Sequence, residues 1–534
     1  MLFNSYEFIF AFLPAVLVVF FVLGKTSRVW ALRWIIAASL FFYAWWNPVN
    51  VLIIAPSVAI NFVLARALQR LGKRGSRGAA RAVLLAGIAF NVAFLGYFKY
   101  SNFLVGAAND VFGTQMVLAR VILPLGISFI TFQKIAFLID VHAGRVESFT
   151  LQDYCLFVLF FPQLIAGPIV HYREMMPQFH RASCRFDKGD VAVGVTLFAF
   201  GLVKKAFIAD RVAAFVSPIY GQASSGGNVG LAAGWIAAIG FTLQIYFDFS
   251  GYTDMALGIA RFFGIRLPPN FNSPLRASSI IDFWLRWHMT LTRFLTAYIY
   301  NPLALWLTRR RAARGLPAFA GRNKSVGAFL ELLMFPTLLT MLVSGIWHGA
   351  GYTFIVWGVL HGVFLTVNNG WRLAGTKLRL DNEAQSRFMR TAGVIITLAC
   401  VASSMVIFRS PNLKTSGRIF QGMFGLHGLG LSGLKGSVDV SLAQLAAWIA
   451  GPALIALVCP NTLQILRRYE PALGWKASGP GAAPVLGSGP RGAATAEPRL
   501  AWKPSLAWAA AVSAIAWIGL IYLGGRSEFL YWQF

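Results

Sequence analysis

Long apolar runs alternate along this chain with short segments rich in arginine and lysine. The runs fall at residues 7–23, 31–46, 49–66, 82–100, 119–139, 151–169, 191–216, 231–263, 327–346, 352–370, 391–408, 441–459 and 506–523. Each approaches or exceeds the length that a helix needs to cross the bilayer's hydrocarbon core, ~20 residues. The predicted fold class is therefore all-α, a polytopic transmembrane helical protein of about 10–13 spans with some re-entrant or interfacial helices. Residues 1–466 form the membrane domain in this reading. Residues 467–505 are a flexible loop rich in Gly, Pro and Ala, and residues 506–534 a last transmembrane helix and tail. The first run has neither a basic stretch before it nor a small-residue cleavage site after it, so it reads as a span rather than a signal peptide. No polar stretch approaches domain length, so any chemistry must use residues in or beside the membrane. Repeated halves of the kind common in transporters are not evident.

Composition agrees. Of 534 residues, 57% are hydrophobic and 12% charged, and the mean hydropathy is +0.63. A net charge of +28 would suggest nucleic acid in a soluble protein. Here the basic residues sit in short loops, where they set orientation and attract anionic lipid headgroups, so no nucleic-acid partner is expected. Lys25, Arg28 and Arg33 follow the first run and Arg66, Arg70, Lys73, Arg74, Arg77 and Arg81 the third. Both loops should face the cytoplasm, with the N-terminus outside. A third cluster, Arg309, Arg310, Arg311, Arg314, Arg322 and Lys324, marks another cytoplasmic segment. Cys155, Cys184, Cys400 and Cys459 have no metal-ligand spacing and read as small apolar residues.

Three segments carry candidate chemistry. Ser344-Gly345-Ile346-Trp347-His348-Gly349 places an imidazole at the end of an apolar span, flanked by glycines that let a substrate or another backbone come close. Ionisable groups at membrane depth are costly and usually functional, and neutral imidazole can take a proton from an attacking alcohol. Asp282-Phe283-Trp284-Leu285-Arg286-Trp287-His288 holds a second imidazole; if helical, it puts Trp284 and His288 on one face and pairs Asp282 with Arg286. Gln244 to Asp254 embeds Asp248 and Asp254 in an apolar run. These carboxylates can line a hydrated tunnel, orient a histidine or tie helices together. His361 lies thirteen residues beyond His348 and would face another direction on one continuous helix. There is no metal site by spacing, no phosphate loop ending in Gly-Lys-Ser or Gly-Lys-Thr, and no Gly-x-Ser-x-Gly elbow.

At these motifs the chain resembles the membrane-bound O-acyltransferase (MBOAT) family, in its bacterial branch of alginate O-acetylation and teichoic acid D-alanyl transfer proteins. The resemblance spans roughly residues 1–420. It rests on Phe41-Phe42-Tyr43-Ala44-Trp45-Trp46, Tyr97-Phe98-Lys99-Tyr100, Leu123 to Phe129, Phe161 to Pro168 and Tyr246 to Ala256, in that order. It implies a ring of helices with a thin centre, a near-invariant histidine at His348 and a second polar position, Asn or His, at His288. Relatives also carry an acidic residue and a Gly-Gly pair after the Trp-His element; Phe294 to Leu305 has neither.

The function expected is transfer of an acyl group, acetyl by preference, from a cytoplasmic thioester donor towards a hydroxyl of an exported polysaccharide. The donor is acetyl-CoA or an acyl-carrier thioester, with no permanently bound cofactor, in the bacterial inner membrane. His348 would be the general base and His288 would position the acceptor or stabilise the oxyanion. Asp248, Asp254, Trp347, Trp284 and Arg286 would support them. The resemblance also implies a separate periplasmic or extracellular acetyltransferase as partner. The competing readings are a lipid acyltransferase, marked by a long apolar pocket beside His348, and a transporter or flippase without chemistry.

Overall fold

The computed structural model describes residues 1–119, 121, 123–316, 325–378, 383–431, 442–475, 500–524 and 530. Eight helices among them are long and apolar enough to cross a membrane. They are α1 (Glu7–Thr26), α3 (Val49–Lys73), α4 (Arg77–Phe112), α8 (Lys188–Ser224), α9 (Leu231–Phe262), α13 (Val326–His348), a stretch of α15 (Glu383–Arg409), and α18 (Leu506–Gly524). Between them lie α2 (Arg28–Ala44), α5 (Ile127–His142), α6 (Leu151–Leu159), α7 (Tyr172–Arg181), α10 (Ile280–Trp284), α11 (Met289–Leu295), α12 (Asn301–Ala313), α14 (Tyr352–Leu378), α16 (Leu413–Met423) and α17 (Leu442–Val458). The fold is all-helical, as the apolar runs predict.

Two expected spans are corrected. The run at 151–169 is not one helix. It breaks at Phe160 (φ −55°, ψ 109°), restarts as a single turn, Phe161–Leu164, and then runs irregularly to His171. Pro162 explains the break: it lacks an N–H and disfavours helical geometry before it, so it is tolerated only in a new first turn. The run at 119–139 starts its helix only at Ile127, after Pro124 and after Gly126 turns the chain with φ +68°. The 467–505 segment is anchored at both ends. Leu473 N–H donates to Leu267 O, Trp502 N–H donates to Ile465 O, and Tyr469 packs edge-on against Trp502. Residues 476–499 lie outside the described residues.

Helices α8 and α9 form the central seam. A Cβ on Gly201 would lie 2.5 Å from Gly251 O, and one on Gly258 would lie 2.5 Å from Gly194 O. The two backbones therefore touch at two levels, the close approach that drives helix packing where lipid offers no hydrophobic gain. Charges lock the same seam. Lys205 pairs with Asp248 at 2.5 Å and with Asp210 at 2.8 Å, Lys204 with Asp254 at 2.6 Å, and Asp190 with Arg261 at 2.8 Å. Residues 264–279 are mostly non-helical and largely buried in protein, where irregular backbone can find internal partners.

Candidate active site

His348 is the last residue of α13. The chain leaves the helix at Gly349 (φ −163°, ψ 158°) and re-enters helix at Tyr352, so α13 and α14 form a hairpin, in keeping with the separate runs at 327–346 and 352–370, and His361 is not on the helix of His348. The glycines around His348 bring in protein rather than open space. A Cβ on Gly345 would lie 2.3 Å from Phe354 O and 3.0 Å from Gly358 Cα; one on Gly349 would strike the Phe354 ring. This approach sets the His348 ring 5.1 Å from that of Trp357. The C-terminal carbonyls of α13, orphaned at any helix end, are met by a π-helical segment of α4, Gly96–Tyr100. Tyr100 OH donates to Ile346 O, and the Lys99 ammonium donates to Trp347 O and, at 3.0 Å, to His348 O. A cation at this helix end also complements the helix dipole.

His288 arrives by a different route. The expected helix through 282–288 stops at Trp284, and the chain then turns until His288 adopts the left-handed conformation (φ 43°, ψ 51°) at the N-cap of α11. Trp284 and His288 therefore do not share a helical face. A non-glycine residue there stores about 1–3 kcal/mol of strain, a feature concentrated at functional sites. Asn270 holds the turn: its carbonyl accepts Met289 N–H at 3.0 Å, and its side-chain oxygen lies 3.0 Å from His288 Nδ1. Asp282 and Arg286 do pair, at 2.7 Å, but Arg286 is engaged there and not at the imidazoles.

The two rings meet with centroids 6.4 Å apart. That separation is longer than two imidazoles in direct hydrogen bond would show. His288 is fully buried and His348 is 4% exposed. Around them stand Trp347 (4.9 Å from His348), Phe408 (5.3 Å from His348), Phe249 (4.8 Å from His288) and Phe129 (5.2 Å from Trp347). The indole N–H groups of Trp347 and Trp357 are buried and meet no acceptor among the described residues. An unmet buried donor costs about 1–3 kcal/mol and calls for an explanation.

His361 joins this cluster with a partner at each ring nitrogen. Trp284 Nε1–H donates to its Nδ1 at 3.2 Å, and its Nε2 lies 2.9 Å from Ser404 Oγ, whose hydroxyl donates to Val401 O. Nδ1 accepts, so Nε2 carries the proton, and both nitrogens are committed. Trp284 thus orients His361, not His288. Of the roles open to Asp248 and Asp254, the structure shows the helix tie: each meets a lysine of α8, and Asp254 also accepts from Thr462. They tie helices together, and what α9 brings to the histidines is the Phe249 ring. Sequence reasoning missed Asn270 and the capping role of Lys99. A lysine within Tyr97-Phe98-Lys99-Tyr100 was the available signal for the second; Asn270, in Pro269-Asn270-Phe271, gave none. Among the described residues, no group of three or more His, Cys, Asp or Glu could hold a metal ion.

The sequence profile of MBOAT, the membrane-bound O-acyltransferase family, matches residues 139–316. The chain is 37% identical over 464 residues to a peptidoglycan O-acetyltransferase of Helicobacter pylori, covering 82% of each protein. It is 34% identical over 483 residues to a probable alginate O-acetylase of Pseudomonas aeruginosa, covering 89% of this chain and 84% of that one. To a teichoic acid D-alanyltransferase of Bacillus subtilis it is 28% identical over 289 residues, 53% of this chain and 68% of that one. With two histidines from separate segments converging in a multi-helix membrane core, the chain belongs to the membrane-bound O-acyltransferase family and is a multi-pass membrane O-acyltransferase.

Proposed function

We propose that this enzyme moves an acetyl group from a cytoplasmic thioester, acetyl-CoA or an acyl carrier, to a hydroxyl of an exported polysaccharide in the bacterial cytoplasmic membrane. Transfer is direct or relayed through an extracytoplasmic acetyltransferase partner. The observation that carries this reading is the His288–His348 pair, 6.4 Å apart inside an aromatic enclosure. His348 takes the proton of the acceptor hydroxyl as its oxygen attacks the thioester carbonyl. The C–O bond forms, the C–S bond breaks, and the sulfur leaves with the proton held on His348, giving an ester and a free thiol. The buried indole N–H groups of Trp347 and Trp357 supply hydrogen bonds for the developing oxyanion. Rings that close on His348 at 4.9, 5.1 and 5.3 Å favour a short acyl group over a long lipid chain. They also keep water from the thioester.

The names of two relatives, a peptidoglycan O-acetyltransferase and a probable alginate O-acetylase, support acetyl as the group and a polysaccharide as the acceptor. The test is transfer of labelled acetyl from acetyl-CoA by the purified full chain, with polymer-bound acetate measured in cells producing the His348→Ala variant. The variant should reach the membrane normally and leave the polymer unacetylated. Full acetylation by His348→Ala would end the base assignment.

A further inference from the structure

His288 has two roles open to it in that reading: to receive the acceptor hydroxyl's hydrogen bond, or to donate one to the oxyanion. A neutral imidazole presents one donor and one acceptor nitrogen, so the role follows from the tautomer. Asn270, buried and away from the reacting groups, decides it. Its side-chain oxygen lies 2.9 Å from the Thr290 hydroxyl, 3.3 Å from the Thr290 backbone N–H and 3.0 Å from His288 Nδ1. The Thr290 hydroxyl accepts from Ile169 N–H at 3.0 Å, so its own proton points to Asn270. A backbone amide can only donate. The Asn270 atom facing Thr290 is therefore the oxygen, and an amide flip would set NH2 against N–H. That same oxygen faces Nδ1, so Nδ1 bears the proton and Nε2 bears the lone pair.

We infer that Asn270 is a positioning residue that fixes His288 as its Nδ1–H tautomer, so that Nε2 receives the hydrogen bond of the polysaccharide hydroxyl and orients it for attack. The inference rests on the reading of His288 as part of the transfer site and deepens it. It removes His288 from the oxyanion role, which falls to the indole donors. Asn270 also explains why His288 is held in a left-handed turn: the carbonyl and the side-chain oxygen of one residue grip Met289, Thr290 and the His288 ring at once.

The experiment uses the full chain in lipid nanodiscs with ring-15N histidine. There are seven histidines, and the His288→Asn variant identifies the signal that belongs to position 288. In the unsubstituted protein, the expected result is a protonated Nδ1 and an unprotonated Nε2; a protonated Nε2 overturns the inference. In parallel, alkali-labile acetate on the surface polymer of the parent bacterium is measured for Asn270→Asp, which keeps an oxygen in place, and Asn270→Leu, which does not. Asn270→Asp should stay within about threefold of the parent and Asn270→Leu should fall at least about tenfold. Equal losses in both variants, with the tautomer unchanged in each, reduce Asn270 to packing and overturn the inference. Should Asn270→Leu not accumulate, the spectrum of the unsubstituted protein still decides. Polymer acetylation that survives His288→Ala defeats the underlying site reading instead, whatever the tautomer.

Discussion

The α8–α9 seam and the histidine centre both bury polar groups deep in the protein, and they do so in opposite ways. At the seam the groups are full charges within unbroken helices, the lysines on a π-helical stretch of α8, Val203–Ala209. Lys205 and Asp248, each 1% exposed, satisfy one another, and glycines bring the backbones close enough to make this possible. At the centre the groups are imidazoles placed where chains break: His348 at the end of a helix, His288 in a left-handed turn. Their neighbours are mainly aromatic rings. A buried charge that has met its opposite is structure. An imidazole set at a break and walled by rings, on a backbone strained to hold it, is where reactants can be brought together.

The largest effect that separates the two regions is on turnover. His348→Ala should lose about 10²–10⁴-fold in acetyl transfer, the range of general base catalysis, with an unchanged melting temperature in detergent. Lys205→Met should do the reverse. Leaving Asp248 buried without its cation costs about 3–5 kcal/mol. Yield and melting temperature should fall while activity per folded molecule holds. The double variant Lys205→Met/Asp248→Leu should recover much of that stability, because a well-packed apolar pair replaces a buried ion pair at little cost. A double variant that folds well but has lost turnover would place the seam in the chemistry and erase the contrast.

His361 is the next sharpest case, because it sits among the aromatic rings of the centre yet has the bonding of the seam. Both its nitrogens are taken, by Trp284 and Ser404. His361→Ala leaves those partners unmet and should cost about 2–4 kcal/mol of stability, with turnover down by less than about tenfold. Loss of turnover without loss of stability would make His361 a reactive group.

How far the sequence could see follows from the same division. The helices were legible because lipid demands long apolar runs, and the basic loops stood out against them. The run at 151–169 misled because Pro162 lies inside continuous apolarity, so periodicity masked the break. His348 was legible as an imidazole at a span end. The role of the carboxylates Asp248 and Asp254 stayed open among lining, orienting and tying because their partners, Lys205 and Lys204, lie about forty and fifty residues away in sequence and meet them only through the glycine contacts of α8 and α9. His361 looked distant from His348 because a three-residue break at Gly349 to Gly351 folds thirteen residues back on themselves. Asn270 was invisible for a similar reason: its partner is the backbone of residues that only tertiary packing brings near.

The smallest effect concerns selectivity within the centre. Phe408 of α15 stands 5.3 Å from His348 and 5.2 Å from Trp357, so a third helix adds its ring to the pair that α13 and α14 bring together. If that ring limits the acyl group, Phe408→Leu opens room for about one methylene. A methylene in an apolar pocket is worth about 1–3 kcal/mol in discrimination, and partial repacking by neighbours will realise the lower end. The ratio of propionyl to acetyl transfer from the matching coenzyme A thioesters should therefore rise about tenfold, with acetyl turnover little changed. The same substitution made at Phe247, next to the seam's Asp248 and packed on Tyr246, should leave the ratio where it was. Equal ratios in both variants would mean that the rings around His348 seal the site without measuring what enters it.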